Sequence, residues 1–367
     1  MRSTARTSSA RAMGSRSPRE RRRGRGPAVR SMSEDKFAGA FEQQPEPRSL
    51  WLAIASQRKR LGLAARRMLS QGGQLALRGV PDLSLDLLMR LAHGAMLAQG
   101  ADSWSAPLSG HRVHRYAFAG YGTGPAVLLL HGLGGSGISM APLVPALVPL
   151  APRVVLLELP GHGRSPDPMN GPLSAREYGA VVIACAKEMV REHGRKVVLI
   201  GNSLGGALAL FAAHERPELS AAVVGVNPAG AELSDEAMNG LPRAFPDANA
   251  GAAQMAHLLF HKTPWPFWLV ARDFARHWGT PTVQRILDDA RAGNDRSLGL
   301  DILTDIHVPV LILWGAQDRL LPLRSVEDFA RIEGARVEML PGCGHVPQLE
   351  KPALTRRAVA EFVRSLK

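Results

Sequence analysis

The segment Val197-Val198-Leu199-Ile200-Gly201-Asn202-Ser203-Leu204-Gly205-Gly206 decides how the rest of the chain is read. Four apolar residues, three of them β-branched, form a run that reads as a buried strand. Leu204 to Ala213 then reads as a helix of small and apolar residues. Between the two lies Gly201-x-Ser203-x-Gly205, the G-x-S-x-G pattern of a nucleophile elbow. Such a turn holds its serine in a strained backbone conformation and projects the hydroxyl beyond the sheet. The two glycines let strand and helix approach closely. The helix N-terminus beneath the serine carries partial positive charge and free N–H groups, which suit a developing oxyanion.

The remaining composition narrows the setting. With 367 residues the chain has room for one large α/β domain with additions, and a hydrophobic content of 45% is ordinary for a globular protein. The net charge of +13 resembles a nucleic-acid signature, but ten arginines against Glu20 within residues 1–31 supply nine of those charges. The body is only mildly basic, so nucleic acid is not an expected partner. Cys185 and Cys343 lie far apart and no secretory apolar segment follows the arginines. A disulfide framework is not indicated, and a cytoplasmic setting is expected.

Residues 1–48 are rich in Arg, Ser, Pro and Gly and are expected to be a disordered basic tail. The composition changes at Met32, and the tail reads as a stretch upstream of a start there or as a solvated tail, ahead of a targeting or polyanion-binding segment. Residues 49–110 are expected to form a helical extension, with helices over 49–77 and 83–99. In the first, apolar residues at helical spacing alternate with Arg58, Lys59, Arg60, Arg66 and Arg67. It would either pack on the core or rest peripherally on the inner membrane surface. No run of about 18 apolar residues is present to span a bilayer.

From His111 strands and helices alternate. Strands are expected at 114–119, 126–130, 154–159, 221–226, 308–314 and 336–340, with helices at 174–193 and 353–366. This order predicts an α/β fold, a mostly parallel sheet with helices on both faces. The core would occupy 111–228 and 301–367. Between them, residues 229–300 interrupt the alternation and carry Trp265, Phe267 and Trp268. They read as a helical cap over the site, with those three aromatics as candidate substrate contacts.

A serine hydroxyl needs a base, and the base needs an orienting group. Asp318 follows the strand 308–314 and His345 follows the strand 336–340, in the chain order serine, acid, histidine. Asp301 and Asp305 are weaker candidates for the acid, because they precede their strand. Two N–H donors are needed for the oxyanion, and the backbones of Leu133 and Leu204 are placed to supply them. His131 is read as ordering its loop, and His162 as a turn residue that either meets solvent or touches substrate. Cys343 is read as structural. No Cys/His spacing suggests a metal, and no phosphate loop or dinucleotide fingerprint occurs, so no cofactor is expected.

Together these motifs resemble the α/β-hydrolase superfamily: HGLGGS at 131–136, LPGHGRS at 159–165, GNSLGG at 201–206, WGAQDRLLP at 314–322 and GCGHVPQLEKP at 342–352. The resemblance covers about residues 111–367. GNSLGG, the Asn227-Pro228-Ala229-Gly230 turn and the cap resemble monoacylglycerol-lipase-like enzymes and related bacterial lipases. The resemblance implies hydrolysis of a small-molecule ester or lipid through an acyl-enzyme on Ser203. Carbon–carbon bond hydrolases share the elbow but usually carry H-G-x-G-P-G, whereas this chain has Gly134-Gly135. Haloalkane dehalogenases and epoxide hydrolases use an aspartate nucleophile, which Ser203 argues against. A carbon–carbon hydrolase or acyltransferase with the same triad, and an inactive hydrolase fold that binds without turnover, stand as the alternatives.

Overall fold

Apolar runs without polar alternation need burial on both faces, and the strands satisfy this by sitting inside a layered sheet. The computed structural model describes residues 29–31, 85–293 and 297–366. A single sheet runs through it, built from β1 (Val29–Ser31), β2 (Asp102–Leu108), β3 (His111–Ala119), β4 (Val127–Leu130), β5 (Arg153–Glu158), β6 (Val197–Asn202), β7 (Ser220–Val226), β8 (Val310–Gly315) and β9 (Arg336–Leu340). Its order is β1-β9-β8-β7-β6-β4-β5-β3-β2. From β1 to β5 along that order every neighbouring pair is parallel, and β3 and β2 close the far edge antiparallel.

Side-chain alternation divides the core between the two faces. Leu128, Leu130 and Leu199 pack with the helices α2 (Ala175–His193) and α3 (Leu204–Glu215) on one side. Val127, Leu129, Val198 and Ile200 pack on the other, against Leu143, Leu147 and the closing helix α9 (Pro352–Ser365). Ser174 caps α2 in a reciprocal capping box with Glu177, and Gly194 ends it at φ 66°, a left-handed position that glycine adopts without strain. The sheet with its two helical layers is the expected α/β architecture.

Two expectations from the sequence change. Residues 29–31 fall within the stretch expected to be a disordered tail, yet they pair in parallel with β9, Val29 opposite Val337. Residues 102–108, expected to belong to a helical extension, form β2 against β3 instead. Only α1 (Leu85–Ala98) is helical among the described residues of that stretch. The expected helix over 49–77, with its membrane-surface reading, and the rest of the tail lie outside the described residues. Among the described residues no helix is long and apolar enough to cross a membrane.

Between β7 and β8 the chain leaves the sheet through α4 (Asp235–Gly240), α5 (Ala248–Leu259), α6 (Ala271–Trp278), α7 (Pro281–Arg291) and α8 (Leu300–Thr304). This insert has its own apolar cluster around Met255, Phe260 and Trp278, which also takes in Val346 beside the β9 loop.

Candidate active site

Ser203 sits between β6 and α3 at φ 53°, ψ −120°, a conformation that a non-glycine residue holds only when its surroundings enforce it. Backbone bonds enforce it here. The Ser203 N–H donates to the Val226 carbonyl at 3.1 Å, and the Ser203 carbonyl accepts from Gly206, Ala207 and Ala229. The flanking glycines are required by contact: a Cβ at Gly201 would lie 2.1 Å from the Gly205 oxygen, and one at Gly205 would lie 2.5 Å from the Leu130 oxygen.

Asp318 and His345, 27 residues apart, meet at the carboxyl ends of β8 and β9. His345 Nδ1 lies 2.8 Å from Asp318 Oδ2, and the two side chains are 2% and 1% exposed. A carboxylate only accepts, so the proton of this pair sits on Nδ1 and leaves a lone pair on Nε2. That Nε2 is buried and has no hydrogen-bond partner among the described residues. The other Asp318 oxygen, Oδ1, accepts from the backbone N–H groups of Leu320 and Leu321 at 2.8 and 3.0 Å.

Three contacts join the loops that carry these groups. Asn202, next to the serine, donates through Nδ2 to the His345 carbonyl at 3.1 Å. Gln317, next to the acid, exchanges two bonds with Cys343. Glu350 accepts from the N–H groups of Gly344, His261 and Lys262, which fastens the His345 loop to the end of α5. Asp301 and Asp305, the weaker acid candidates, are exposed, and Asp305 pairs with His214 and His307.

Sequence reasoning missed Asn227 as a site residue. It is fully buried at φ 43°, donates through Nδ2 to Asp318 Oδ2 at 2.7 Å, and accepts at Oδ1 from the Gly315 N–H. The available signal was an asparagine at a strand end ahead of Pro228, but nothing there discloses a partner 91 residues away.

The loop after β4 runs beside the elbow, where a Cβ on Gly132 would touch Ser203 Cβ at 3.1 Å. His131 orders this loop. Leu159 N–H donates to its Nε2, so Nδ1 carries the proton and donates to the Gly132 carbonyl at 2.8 Å. Burial holds the His131 imidazole down at about 3, with the neighbouring His162 adding to the effect. The backbone N–H groups of Leu133 and Leu204 have no hydrogen-bond acceptor among the described residues.

His162 is not a solvated turn residue. It is 1% exposed, its ring lies 5.2 Å from His131 and 6.2 Å from His277 of α6, and burial lowers its pKa to about 4. Cys343 is buried, and burial pushes its thiol up to about 12, far from a reactive thiolate. Among the described residues no cluster of three or more His, Cys, Asp or Glu side chains could hold a metal ion.

A cavity of about 170 Å³ opens at Ser203, Leu133 and Leu204. Its walls come from α3, from the first turn of α2, from Leu133, Leu320 and Leu321, and from the insert, which contributes Met238, Leu241, Trp278 and Leu287. Trp265, Phe267 and Trp268, the expected substrate contacts, are not on this wall. Phe267 stacks instead on Phe260, Phe274 and Trp268 inside the insert. The aromatic residues on the wall are Trp278 and Phe211.

Comparison with known proteins identifies the family and the fold. The profile of the Alpha/beta hydrolase family matches residues 127–358. Monoacylglycerol lipase ABHD6 of Rattus norvegicus is 28% identical over 271 residues, which covers 68% of this chain and 79% of that relative. Carboxylesterase CesB from Bacillus subtilis superposes with a TM-score of 0.61 at 20% identity, covering 76% of this chain and 97% of the esterase. The 2-hydroxy-6-oxo-6-phenylhexa-2,4-dienoate hydrolase from Rhodococcus sp. strain RHA1 superposes with a TM-score of 0.60 at 24% identity, covering 72% and 100%.

Proposed function

Because the chain belongs to the alpha/beta hydrolase family, we propose that it is a serine hydrolase that cleaves carboxylic esters with an apolar acyl or alcohol part. The observation that carries this reading is the buried Asp318–His345 pair with an unengaged Nε2, beside a cavity whose wall includes a strained serine. In the proposed reaction Ser203 Oγ attacks the ester carbonyl while His345 Nε2 takes its proton. The negative charge on the tetrahedral oxygen is received by the N–H groups of Leu133 and Leu204. Collapse breaks the C–O bond to the alcohol, and the imidazolium returns the proton to the leaving oxygen. Water then repeats the sequence on the acyl-enzyme. Asp318 holds His345 in the tautomer that leaves Nε2 free, and Asn227 positions Asp318. The insert acts as a cap that excludes water and holds the apolar group.

A carbon–carbon bond hydrolase could use the same groups, and the dienoate named for the Rhodococcus enzyme carries a carboxylate. Such a group needs donors or a cation where it binds. Among the described wall residues the polar side chains are Ser203, Ser297 and Arg176, and the rest of the wall is apolar. Arg176, exposed on the first turn of α2, supplies the cation among the described wall residues, and the predominantly apolar remainder suits a hydrocarbon part of the substrate. An acyltransferase would share the acyl-enzyme and differ only in the acceptor, and a non-catalytic fold would have no use for the Asp318–His345 pair.

Labelling with a fluorophosphonate, run beside hydrolysis of p-nitrophenyl butyrate, tests the proposal. Wild type is expected to label on Ser203 and to turn over the ester, and Ser203→Ala to do neither while unfolding at the same temperature. Unchanged hydrolysis by Ser203→Ala would refute the assignment.

A further inference from the structure

The cavity at Ser203 follows one face of α3. Ser203, Ala207 and Phe211 line it at four-residue spacing. At the helical rise of 1.5 Å per residue, Phe211 stands about 12 Å from the serine. Ala175 and Arg176, on the first turn of α2, line the same cavity, so it reaches from the nucleophile to the place where α2 crosses α3.

Phe211 is seated against α2 by a missing side chain. A Cβ built on Gly179 would lie 2.5 Å from Phe211 Cε1 and 2.6 Å from its Cδ1, so the ring occupies the space a side chain there would need. Gly179 is buried within α2, where glycine costs about 1 kcal/mol relative to alanine. Propensity does not explain it, whereas the contact with Phe211 does.

The cavity's volume of about 170 Å³ bounds what fits. An apolar cavity of about 150 Å³ stays dry and takes a six-carbon ring. Both expected oxyanion donors, Leu133 and Leu204, also line this cavity. An ester carbonyl seated between them and Ser203 would have one substituent inside. The acyl part stays bonded to the enzyme between the two half-reactions and the alcohol must leave, so the lined cavity suits the acyl part.

We propose that this cavity is an acyl site for an unbranched acyl chain of about six to eight carbons, and that Phe211, seated on Gly179, sets the length limit. This rests on the reading of Ser203 as the nucleophile. The chain lies along Ala207 and Leu208 of α3, opposite Leu241 and Leu287 of the insert. Phe211 and Gly179 act on selectivity as one unit from two helices.

The full chain and two variants are assayed on p-nitrophenyl esters from acetate to palmitate, and on butyrate esters of alcohols of increasing length. Each profile is normalised to that protein's own rate on the acetate. In wild type kcat/KM is expected to peak between hexanoate and octanoate. Phe211→Ala opens the end of the site and is expected to raise the laurate-to-hexanoate ratio about tenfold, the discrimination available from a methylene-sized change in an apolar pocket. Gly179→Ala drives the ring into the cavity and is expected to move the peak to shorter chains. Opposite shifts from two residues on different helices are not an effect of general loosening. A wild-type peak at acetate or palmitate, shifts in the same direction, no shift, or a response in the alcohol series alone would overturn the proposal. If Phe211→Ala fails to fold, Phe211→Leu replaces it and is expected to raise the laurate-to-hexanoate ratio in the same direction; an unchanged ratio in that folded variant would overturn Phe211 as the limit. Fluorophosphonate labelling separates the two levels: a labelled Ser203 with the wrong chain profile refutes the acyl-site assignment alone, and an unlabelled Ser203 refutes the nucleophile reading and this proposal with it.

Discussion

Replacing Asp318 by asparagine tests the orienting role, and the surrounding donors dictate the outcome. Asp318 Oδ1 accepts from two backbone N–H groups, of Leu320 and Leu321, while Oδ2 accepts from Asn227 Nδ2 and His345 Nδ1. An asparagine has one acceptor to place. If its oxygen faces Leu320 and Leu321, its NH2 faces His345 Nδ1 and the NH2 of Asn227. Asn227 cannot rotate to relieve this, because its own oxygen is held by the Gly315 N–H at 2.9 Å. If its NH2 faces Leu320 and Leu321 instead, two buried backbone donors lose their acceptor at about 1–3 kcal/mol each. The first orientation is therefore preferred. It makes His345 Nδ1 an acceptor, moves the proton to Nε2, and removes the base that the proposed mechanism requires for Ser203. In serine proteases the same exchange, with geometry intact, lowers kcat about 10⁴-fold. That corresponds to about 5 kcal/mol of transition-state stabilisation, at 1.36 kcal/mol per decade. The assay is kcat on p-nitrophenyl hexanoate for wild type and Asp318→Asn, with thermal unfolding monitored by circular dichroism. A loss of about four decades with the fold retained is expected. A variant within tenfold of wild type at the same unfolding temperature would refute the reasoning, and with it the place of Asp318 in the triad.

Burial raises the Glu158 carboxyl to about 7 against its ordinary 4.5, although the N–H groups of Arg164 and Gly137 and the Arg164 charge oppose the shift. Its folded-state value lies above the unfolded one, so its stabilising contribution is complete below pH 4.5 and is lost as pH rises through 7, a swing of about 3 kcal/mol. Glu158→Gln should therefore lose less stability than wild type on going from pH 4.5 to 7.5, and identical Tm–pH slopes would contradict this. The buried histidines have the opposite sign, since His131 and His162 withdraw stability as pH falls from 6.5 towards 4, and both proteins share that trend. Glu350 gathers the N–H groups of Gly344, His261 and Lys262, so Glu350→Gln should unfold about 1–3 kcal/mol more easily and lower kcat about tenfold by loosening the His345 loop. An unchanged kcat would show that this fastening does not reach His345.

Where the chain could be read, it was the elements with one dominant physical demand. β4, β6 and β8 are short apolar runs with no alternative to burial on both faces. The elbow is a steric pattern, and Asp318 and His345 each follow a strand end where the chain has to turn. β2 escaped because Asp102-Ser103-Trp104-Ser105-Ala106-Pro107-Leu108 is polar, half-exposed and contains proline, as suits the edge of a sheet. β1 lies in an arginine-rich stretch and is only three residues long, too short to show a strand pattern, and it is found through its pairing with β9. The insert shows the other limit. Composition marked it as aromatic and helical, but it could not say which rings turn inward. Trp265, Phe267 and Trp268 belong to a 3₁₀ segment that packs within the insert, while Trp278 ends α6 and faces the cavity. Asn227 and Glu350 act through backbone and side-chain partners distant in sequence, and their residue types alone carry no such information.

The order in which the site's parts occur along the chain has a consequence for synthesis. β4, β6 and β7, which frame the strained serine, are complete by residue 226, whereas the acid arrives at 318 and the histidine at 345. Domains fold from the N-terminus as the ribosome delivers them. A nascent chain can thus shape the proposed nucleophile long before the proposed base exists, and the insert is made in between. The last helix, α9, packs under Leu313 and Leu340 and closes that face of the sheet. Products terminated before residue 345 would lack His345, so under the proposed mechanism hydrolytic activity would report only chains carried past it.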